Sequence, residues 1–210
     1  MNRPDHLDIV VVSAGLSDPS STRMLADLLG AATTDALVPY GVSAAVRVVE
    51  LRPLAHPLTD QLLTGFAAGE LAGVLDAVSA ADAVIAVTPV FSASYSGLFK
   101  TFFDVLEDGA LDGTPVLIGA TAGTARHSLV LEHALRPLFS HLHAVVVPTG
   151  VFAASEDWGG GGTSAGLRAR VDRAAGELAA LVAARGHVER DDTFDRDLTA
   201  MGDFETMLNG

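Results

Sequence analysis

Short apolar runs alternate with amphipathic stretches along this chain, and the alternation predicts its fold. Five runs rich in valine, isoleucine and alanine have the length of strands and cover residues 7–12, 46–51, 83–87, 115–120 and 144–147. Apolar residues at helical spacing mark the segments 22–31, 71–80, 97–106, 126–142 and 165–184. Pro137 is expected to kink the fourth of these helices. Strands that are apolar throughout are typical of a parallel sheet buried on both faces.

Five strands that alternate with helices predict an α/β fold, in which a doubly wound parallel sheet carries helices on both faces. Right-handed crossovers and the number of strands favour the five-stranded, flavodoxin-like order 2-1-3-4-5 over the six-stranded dinucleotide-binding fold. In this class of sheet, ligands bind beyond the carboxyl ends of the strands. The loops after strands one, three and four are therefore the expected place of the functional site.

The domain organisation follows from a change in composition near the C-terminus. We expect one domain over residues 1–186 and an acidic tail over residues 187–210. Within the tail, Met201, Phe204 and Leu208 recur at helical spacing, which predicts a short helix that docks on the domain or on a neighbouring subunit. A disordered tail is the alternative. The glycine run 159–162 is expected to form a flexible hinge or loop.

Composition and charge narrow the class of protein. With 49% hydrophobic and 19% charged residues, the chain can bury a sizeable core. The absence of cysteine excludes disulfides, thiolate metal sites and a thiol nucleophile. A net charge of −13 argues against nucleic acid or an anionic membrane as a partner, so an anionic ligand needs local donors. Because no run is apolar enough for a signal peptide or a membrane span, a cytoplasmic protein is expected.

Loop 1, residues 13–23 with the sequence SAGLSDPSSTR, is rich in hydroxyl groups and leads into a helix. Free N–H groups and the dipole at a helix N-terminus favour a phosphate, so this loop is a candidate phosphate site. Simple capping of the helix by Ser20, Ser21 or Thr22 is the alternative. We expect the carboxylate of Asp18 to point away from a phosphate into solvent. The loop matches neither the triphosphate-binding nor the dinucleotide-binding glycine pattern.

Two further loops follow strands three and four. Loop 2, residues 88–97, combines small polar residues with Phe91 and Tyr95, which suits a flat ring; an ordinary connection with a core aromatic is the alternative. Loop 3, residues 121–127, contains Gly123, which lets the backbone approach a ligand closely. Arg126 stands against the helix dipole, which indicates a role in ligand binding, with a surface salt bridge as the alternative. Together the three loops occupy the places where this fold builds one mononucleotide site.

Three stretches of the chain resemble the NADPH-dependent FMN reductase family: TPVFSASYSGLFKTFFDVL, ATAGTARHSLVLEHALRPLF and GVFAASEDWG. The resemblance covers roughly residues 8–158. It is strongest to actinobacterial FMN reductases of two-component monooxygenase systems and to alkanesulfonate-type FMN reductases. It implies an oxidoreductase that binds FMN and NADPH or NADH and transfers a hydride to the flavin. It also implies a homo-oligomer, dimer or tetramer, that passes reduced FMN to a luciferase-like flavin-dependent monooxygenase.

The same resemblance implies which residues contact FMN. In loop 1 they are Ser13, Leu16, Ser20, Ser21 and Thr22. In loop 2, at the ribityl chain and the isoalloxazine, they are Pro89, Val90, Phe91, Ser92 and Ser94. In loop 3, at the pyrimidine edge, they are Thr121, Ala122, Gly123 and Thr124, with Arg126 and His127 near the ring or the nicotinamide. We assign no catalytic acid, base or nucleophile and no metal.

The chain departs from the family pattern at two places. Loop 1 has Ala14-Gly15 where many members have Gly-Ser, and it lacks an arginine that many have before the serine cluster. His133 falls where the reductases that hold flavin tightly have an inserted tyrosine and a π-bulge, and it resembles members that bind flavin loosely. Two alternatives stay open: a quinone or azo-dye reductase whose flavin remains bound, and a flavodoxin-type electron carrier.

Overall fold

One sheet organises the part of the chain that this computed structural model describes, residues 6–161 and 163–185. Its strands are β1 (His6–Ser13), β2 (Ser43–Glu50), β3 (Ala83–Phe91), β4 (Ser94–Tyr95), β5 (Pro115–Ala122), β6 (Val145–Val146) and β7 (Val151–Ala154). The helices are α1 (Ser21–Leu37), α2 (Ala55–Thr64), α3 (Glu70–Ala80), α4 (Gly97–Asp104), α5 (Arg136–His141) and α6 (Ala165–Arg185). Short 3₁₀ helices cover Val38–Tyr40, Ala125–His127 and Ser155–Gly161, and a π-helix covers Leu131–Leu135.

The main strands are parallel and lie in the order β2-β1-β3-β5-β6, while β4 pairs antiparallel with the end of β3. Both β6 and β7 pair with β5, at opposite ends of it. They are two pieces of one fifth strand, interrupted where Pro148 has no N–H to donate to the ladder. The predicted fold class and the order 2-1-3-4-5 are therefore confirmed.

Apolar side chains fill both faces of the sheet. Along β3, Val84 and Ala86 belong to a cluster that also holds Phe99, Phe103 and other residues of α2–α5. The alternate β3 residues, Ala83, Ile85 and Val87, belong to the cluster that packs under α1 and α6. Alternate side chains of a strand point to opposite faces, and this double burial explains why the central strands are apolar throughout.

The region 126–142 differs from the single kinked helix expected there. It begins as a 3₁₀ helix, widens into the π-helix Leu131–Leu135 and becomes α-helical only from Arg136. Pro137 cannot donate to the carbonyl of His133, and the turn before it opens so that the Arg136 N–H donates to Leu131, five residues back. His133 thus lies within a π-helix, so the chain has the π-helical backbone expected only of the members that hold flavin tightly, but not their inserted tyrosine.

The structure also differs from the sequence-based expectations at α2 and at Gly159. The helix α2 was not expected, because its apolar pattern is short and it carries Pro57 near its start. Gly159 lies within a 3₁₀ helix rather than a flexible loop. The tail over residues 187–210, with its predicted docking helix, lies outside the described residues, and the domain division stays a prediction. Among the described helices, none is long and apolar enough to cross a membrane.

Candidate functional site

The strand register brings the three loops to one edge of the sheet. At the ends of the strands, Ser13 of β1 pairs with Val87 of β3. Two residues farther along β3, Pro89 pairs with Thr121 of β5. Because the carboxyl ends of parallel strands meet at the same edge, loops 1, 2 and 3 are neighbours, as the fold class predicts.

Loop 1 ends in a capped helix N-terminus that keeps free donors. The Ser20 Oγ accepts from the Arg23 N–H at 3.2 Å, and the Ser20 carbonyl accepts from the Met24 N–H at 3.0 Å. The backbone N–H groups of Ser21 and Thr22 have no partner among the described residues. Capping by Ser20 and anion binding are therefore compatible, since two N–H groups remain for a ligand.

The tight path of loop 1 depends on a glycine. A Cβ on Gly15 would lie 2.1 Å from the Ser20 Oγ, so no side chain fits there. Beside it, Ser13 is only 1% exposed and its hydroxyl has no partner among the described residues. Leu16, in contrast, is 43% exposed. The loop thus combines a closed backbone with one buried, unsatisfied hydroxyl.

A pocket of about 610 Å³ lies between loop 1 and the residues that follow β2. Asp18 is exposed, as expected, but borders this pocket together with Glu50, Arg23 and Arg52. The Arg23 guanidinium lies 2.8 Å from Asp27 and 2.9 Å from Glu50. Its hydrogen bond to Asp27, and further the charge of Glu50, raise the pKa of Arg23. Two guanidinium groups therefore stand near a loop that lacks an arginine before its serine cluster.

Loop 2 is a strained hairpin rather than an ordinary strand-to-helix connection. Val90 pairs with Tyr95 across a two-residue turn in which Ser92 and Ala93 have φ of 48° and 66°. Two positive φ values define the type I′ turn, which asparagine and glycine normally occupy. The turn leaves Phe91 47% exposed at the edge of the sheet.

A buried threonine closes this hairpin. The Thr88 Oγ1 donates to the Pro89 carbonyl at 2.9 Å and accepts from the Ser96 N–H at 3.0 Å. Thr88 and Ser96 are both fully buried, and the Ser96 Oγ caps α4 by accepting from the Phe99 N–H. Sequence reasoning missed Thr88 and Ser96 as site-building residues, although both stand within the stretch TPVFSASYSG.

Loop 3 is tied to loop 1 at its base and exposed beyond it. The Oγ1 atoms of Thr22 and Thr121 are 2.7 Å apart, and both residues are buried. The Thr124 Oγ1 accepts from the Arg126 N–H at 3.3 Å, which caps the 3₁₀ helix Ala125–His127. Arg126 is exposed and forms no ion pair within the described part of the chain, so the salt-bridge alternative has no support there.

The expected contact residues therefore fall into two groups. The first group has buried or half-buried side chains: Ser13, Ser20, Thr22, Pro89, Val90, Ser94, Thr121 and Ala122. The second group is exposed at the edge of the sheet: Leu16, Ser21, Phe91, Ser92, Gly123, Thr124, Arg126 and His127. His133, in the π-helix, is also exposed.

The segment after β7 is held by Asp157. Its carboxylate accepts from the Ala154 N–H at 2.9 Å, the Ser164 hydroxyl at 2.9 Å and Arg170 at 3.1 Å. Burial raises the pKa of Asp157, but these three hydrogen bonds outweigh it and leave the pKa below its ordinary value. Ala154 pairs with Ala122 of β5, so this network fixes the backbone beside loop 3.

Topology and loops together define the class of protein as a flavodoxin-like α/β domain with a candidate mononucleotide site at the carboxyl edge of its sheet. The sequence profile of the NADPH-dependent FMN reductases matches residues 7–159. An FMN reductase (NADPH) of Pseudomonas aeruginosa is 40% identical over 183 residues, which are 86% of this chain and 95% of that protein.

The NADH-dependent FMN reductase SfnF of Pseudomonas fluorescens is also 40% identical, over 86% of this chain and 94% of its own. The crystal structure of an oxidoreductase from Corynebacterium diphtheriae superposes with a TM-score of 0.81 at 50% identity, over 85% of this chain and 97% of that one. The chain belongs to the NADPH-dependent FMN reductase family. It is an oxidoreductase that uses FMN and a reduced nicotinamide, and the predicted enzyme class and cofactors are confirmed.

Proposed function

We propose that FMN lies along the carboxyl edge of the sheet, with its phosphate at loop 1 and its ring between loops 2 and 3. The meeting of these three loops at one edge is the observation that carries the proposal. The free N–H groups of Ser21 and Thr22 are suitable donors for a phosphate at the start of a 17-residue helix. A buried hydroxyl without a partner costs about 1–3 kcal/mol, so the unsatisfied Ser13 hydroxyl supports a bound group beside it.

The ring end is built largely from backbone. Loop 2 presents Pro89, Val90 and the strained turn, and loop 3 presents Gly123. A Cβ added to Gly123 would meet nothing within 4 Å, so the space beside this residue is open. Such an edge accepts a flat ring without side-chain rearrangement. Arg126 supplies a positive charge at this end, toward the negative charge of reduced flavin or toward a nicotinamide phosphate.

Hydride transfer from the nicotinamide to the flavin N5 is chemistry that the two bound cofactors supply. The residues of this chain bind and orient. They hold the phosphate on backbone donors, keep the edge of the sheet rigid through Thr88 and Asp157, and leave the ring face accessible. Exposed Leu16, Phe91 and Leu129 surround that open edge. Orientation of two reactants in a near-attack arrangement accounts for much of the rate acceleration in such sites.

The open edge also supports a finer proposal, that reduced FMN leaves the enzyme and is passed to a luciferase-like flavin-dependent monooxygenase. We further propose a cytoplasmic homo-oligomer. The names of the relatives include both NADPH-dependent and NADH-dependent reductases, so both nicotinamides belong in the assay.

Steady-state oxidation of NADPH and NADH with FMN, FAD, riboflavin and a quinone as acceptors tests the activity. We expect FMN to be the preferred acceptor and the protein purified without added flavin to be colourless. A tightly bound flavin with preference for the quinone would favour the quinone reductase alternative. A bound flavin that neither NADPH nor NADH reduces would favour the electron carrier. For the finer proposal, reduced FMN must support a flavin-dependent monooxygenase when the two enzymes are mixed.

A further inference from the structure

Two buried hydroxyl groups join the loops at the two ends of the candidate site. The Thr22 Oγ1 lies 2.7 Å from the Thr121 Oγ1, so one hydroxyl donates to the other. Each residue is only 3% exposed. The two side chains are 99 residues apart in sequence, and their contact joins the first turn of α1 to the end of β5.

A second contact, beside this one, brings α1 close to β5. Thr22 and Leu29 are seven residues apart and share a face of the helix, while Gly119 and Thr121 are two apart and share a face of the strand. A Cβ on Gly119 would lie 3.2 Å from the Leu29 Cδ1, so the glycine permits the close approach of α1. The hydroxyl pair then fixes the end of α1 that carries the free N–H groups.

We propose that Thr22 and Thr121 are positioning residues whose mutual hydrogen bond sets the distance between the phosphate end and the ring end of the site. The restraint selects FMN, which spans both ends, over riboflavin, which reaches only the ring end. This inference rests on the proposed function, in which FMN lies across loops 1 and 3. Thr22 acts at both ends, because its backbone N–H is one of the free donors of loop 1 while its side chain binds Thr121 of loop 3.

The physical consequence of breaking the pair follows from burial. Removing one hydroxyl leaves the other without a partner, so the loops shift or admit water to satisfy it. Replacing both threonines by valine, which has nearly the same shape, removes the unsatisfied group but also the restraint. Both single variants and the double variant therefore lose the same interaction, and their effects on FMN affinity are not additive.

The experiment compares Thr22→Val, Thr121→Val and the double variant by quenching of flavin fluorescence, with FMN and riboflavin as probes. We expect each single variant to weaken FMN binding about tenfold and the double variant by no more than about that factor. Riboflavin affinity changes by less than about twofold, because riboflavin does not need both ends held. Thr22→Ser keeps the hydroxyl and retains the FMN affinity of the parent.

Thr33→Val is the matched control. Thr33 is also a fully buried threonine of α1, but its hydroxyl donates only to the Leu29 carbonyl of the same helix, at 2.8 Å. We expect this variant to lose some thermal stability and to keep the FMN affinity of the parent. Melting temperatures of all variants then separate a loss of fold from a loss of positioning.

Several results overturn the proposal. Losses that multiply in the double variant mean that each hydroxyl acts on the ligand by itself. An equal loss of riboflavin affinity means direct contact with the ring, and an equal effect of Thr33→Val means general destabilisation. If the parent binds FMN and the variants bind it unchanged, the inference alone fails. If the parent binds FMN no more tightly than riboflavin, the proposed phosphate end fails with it.

Discussion

The turns outside the three loops differ from the turn of loop 2 in the kind of residue that adopts a positive φ. Outside the loops, positive φ falls mainly on glycines, at Gly41, Gly65, Gly69, Gly109 and Gly113, where it has no steric cost. In loop 2 it falls on Ser92 and Ala93, where an L side chain costs about 1–2 kcal/mol per residue. His143, at φ 56°, is the other non-glycine of this kind among the described residues. Strain is thus concentrated beside the candidate site.

The difference lies in what holds each turn in place. A glycine turn needs no outside support, whereas a strained turn persists only where its surroundings leave no alternative. In loop 2 that support is the fully buried Thr88, which binds both the strand end at Pro89 and the helix start at Ser96. The candidate site is therefore rigid because of hydrogen bonds beneath its surface, and four changes test this view.

Thr88→Val has the largest expected effect. It leaves the Ser96 N–H buried without an acceptor, which lowers the free energy of unfolding by about 1–3 kcal/mol. The hairpin relaxes, and the KM for FMN rises. Urea unfolding and steady-state kinetics measure the two effects, and Thr88→Ser, which keeps the hydroxyl, is the control. A variant that loses stability but binds FMN as tightly as the parent would contradict the prediction that the hairpin shapes the FMN site.

Ala93→Gly relieves the strain instead of the support. We expect the free energy of unfolding to rise by about 1 kcal/mol, because glycine accepts positive φ freely. FMN affinity falls, since a glycine turn is more flexible. His143→Gly is the matched control: it relieves the same kind of strain and loses only an exposed contact to Asp112, so it leaves FMN affinity unchanged. Equal effects of both changes on FMN affinity would contradict a special role for the turn in loop 2.

The same contrast separates the features that the sequence predicts from those that it does not. The apolar runs predict the strands, their order and the edge where loops 1, 2 and 3 meet, because burial on both faces leaves a direct pattern. The sequence does not predict the hairpin at Ser92-Ala93, since neither residue is the asparagine or glycine that a type I′ turn normally has. Likewise, the Thr22–Thr121 contact joins residues far apart in sequence, and no local spacing indicates it. The π-helix at Leu131–Leu135 is hidden because a proline inside an apolar pattern predicts a kink but not its form.

The segment after β7 is held by the charged carboxylate of Asp157, whereas loop 2 is held by the neutral hydroxyl of Thr88. Its pKa lies below the ordinary value of 3.8, so the carboxylate stabilises the fold above that pH, and the contribution is lost as the pH falls through the folded-state pKa. The parent is therefore more stable than Asp157→Asn at neutral pH, and the difference shrinks below about pH 4. Urea unfolding at neutral and acidic pH measures it. The Thr88→Val effect has no titrating group and stays constant with pH, and a constant difference for Asp157→Asn would contradict the role of its charge.

Arg126→Ala has the smallest expected effect on the fold. The side chain is exposed and has no ion pair in the described part of the chain, so the free energy of unfolding changes by less than about 0.5 kcal/mol. NAD(P)H-dependent turnover falls, because the change removes the positive charge beside the ring end. Added salt screens exposed charges, so the difference in turnover between parent and variant narrows as ionic strength rises.

Arg173→Ala is the control: it removes the same charge from an exposed position of α6 and leaves turnover unchanged. Loss of stability with normal kinetics in Arg126→Ala would instead restore a surface salt bridge as its role. The expected pattern, a stable fold with slow turnover, makes Arg126 the reverse of Thr88, which acts on the site only through the fold.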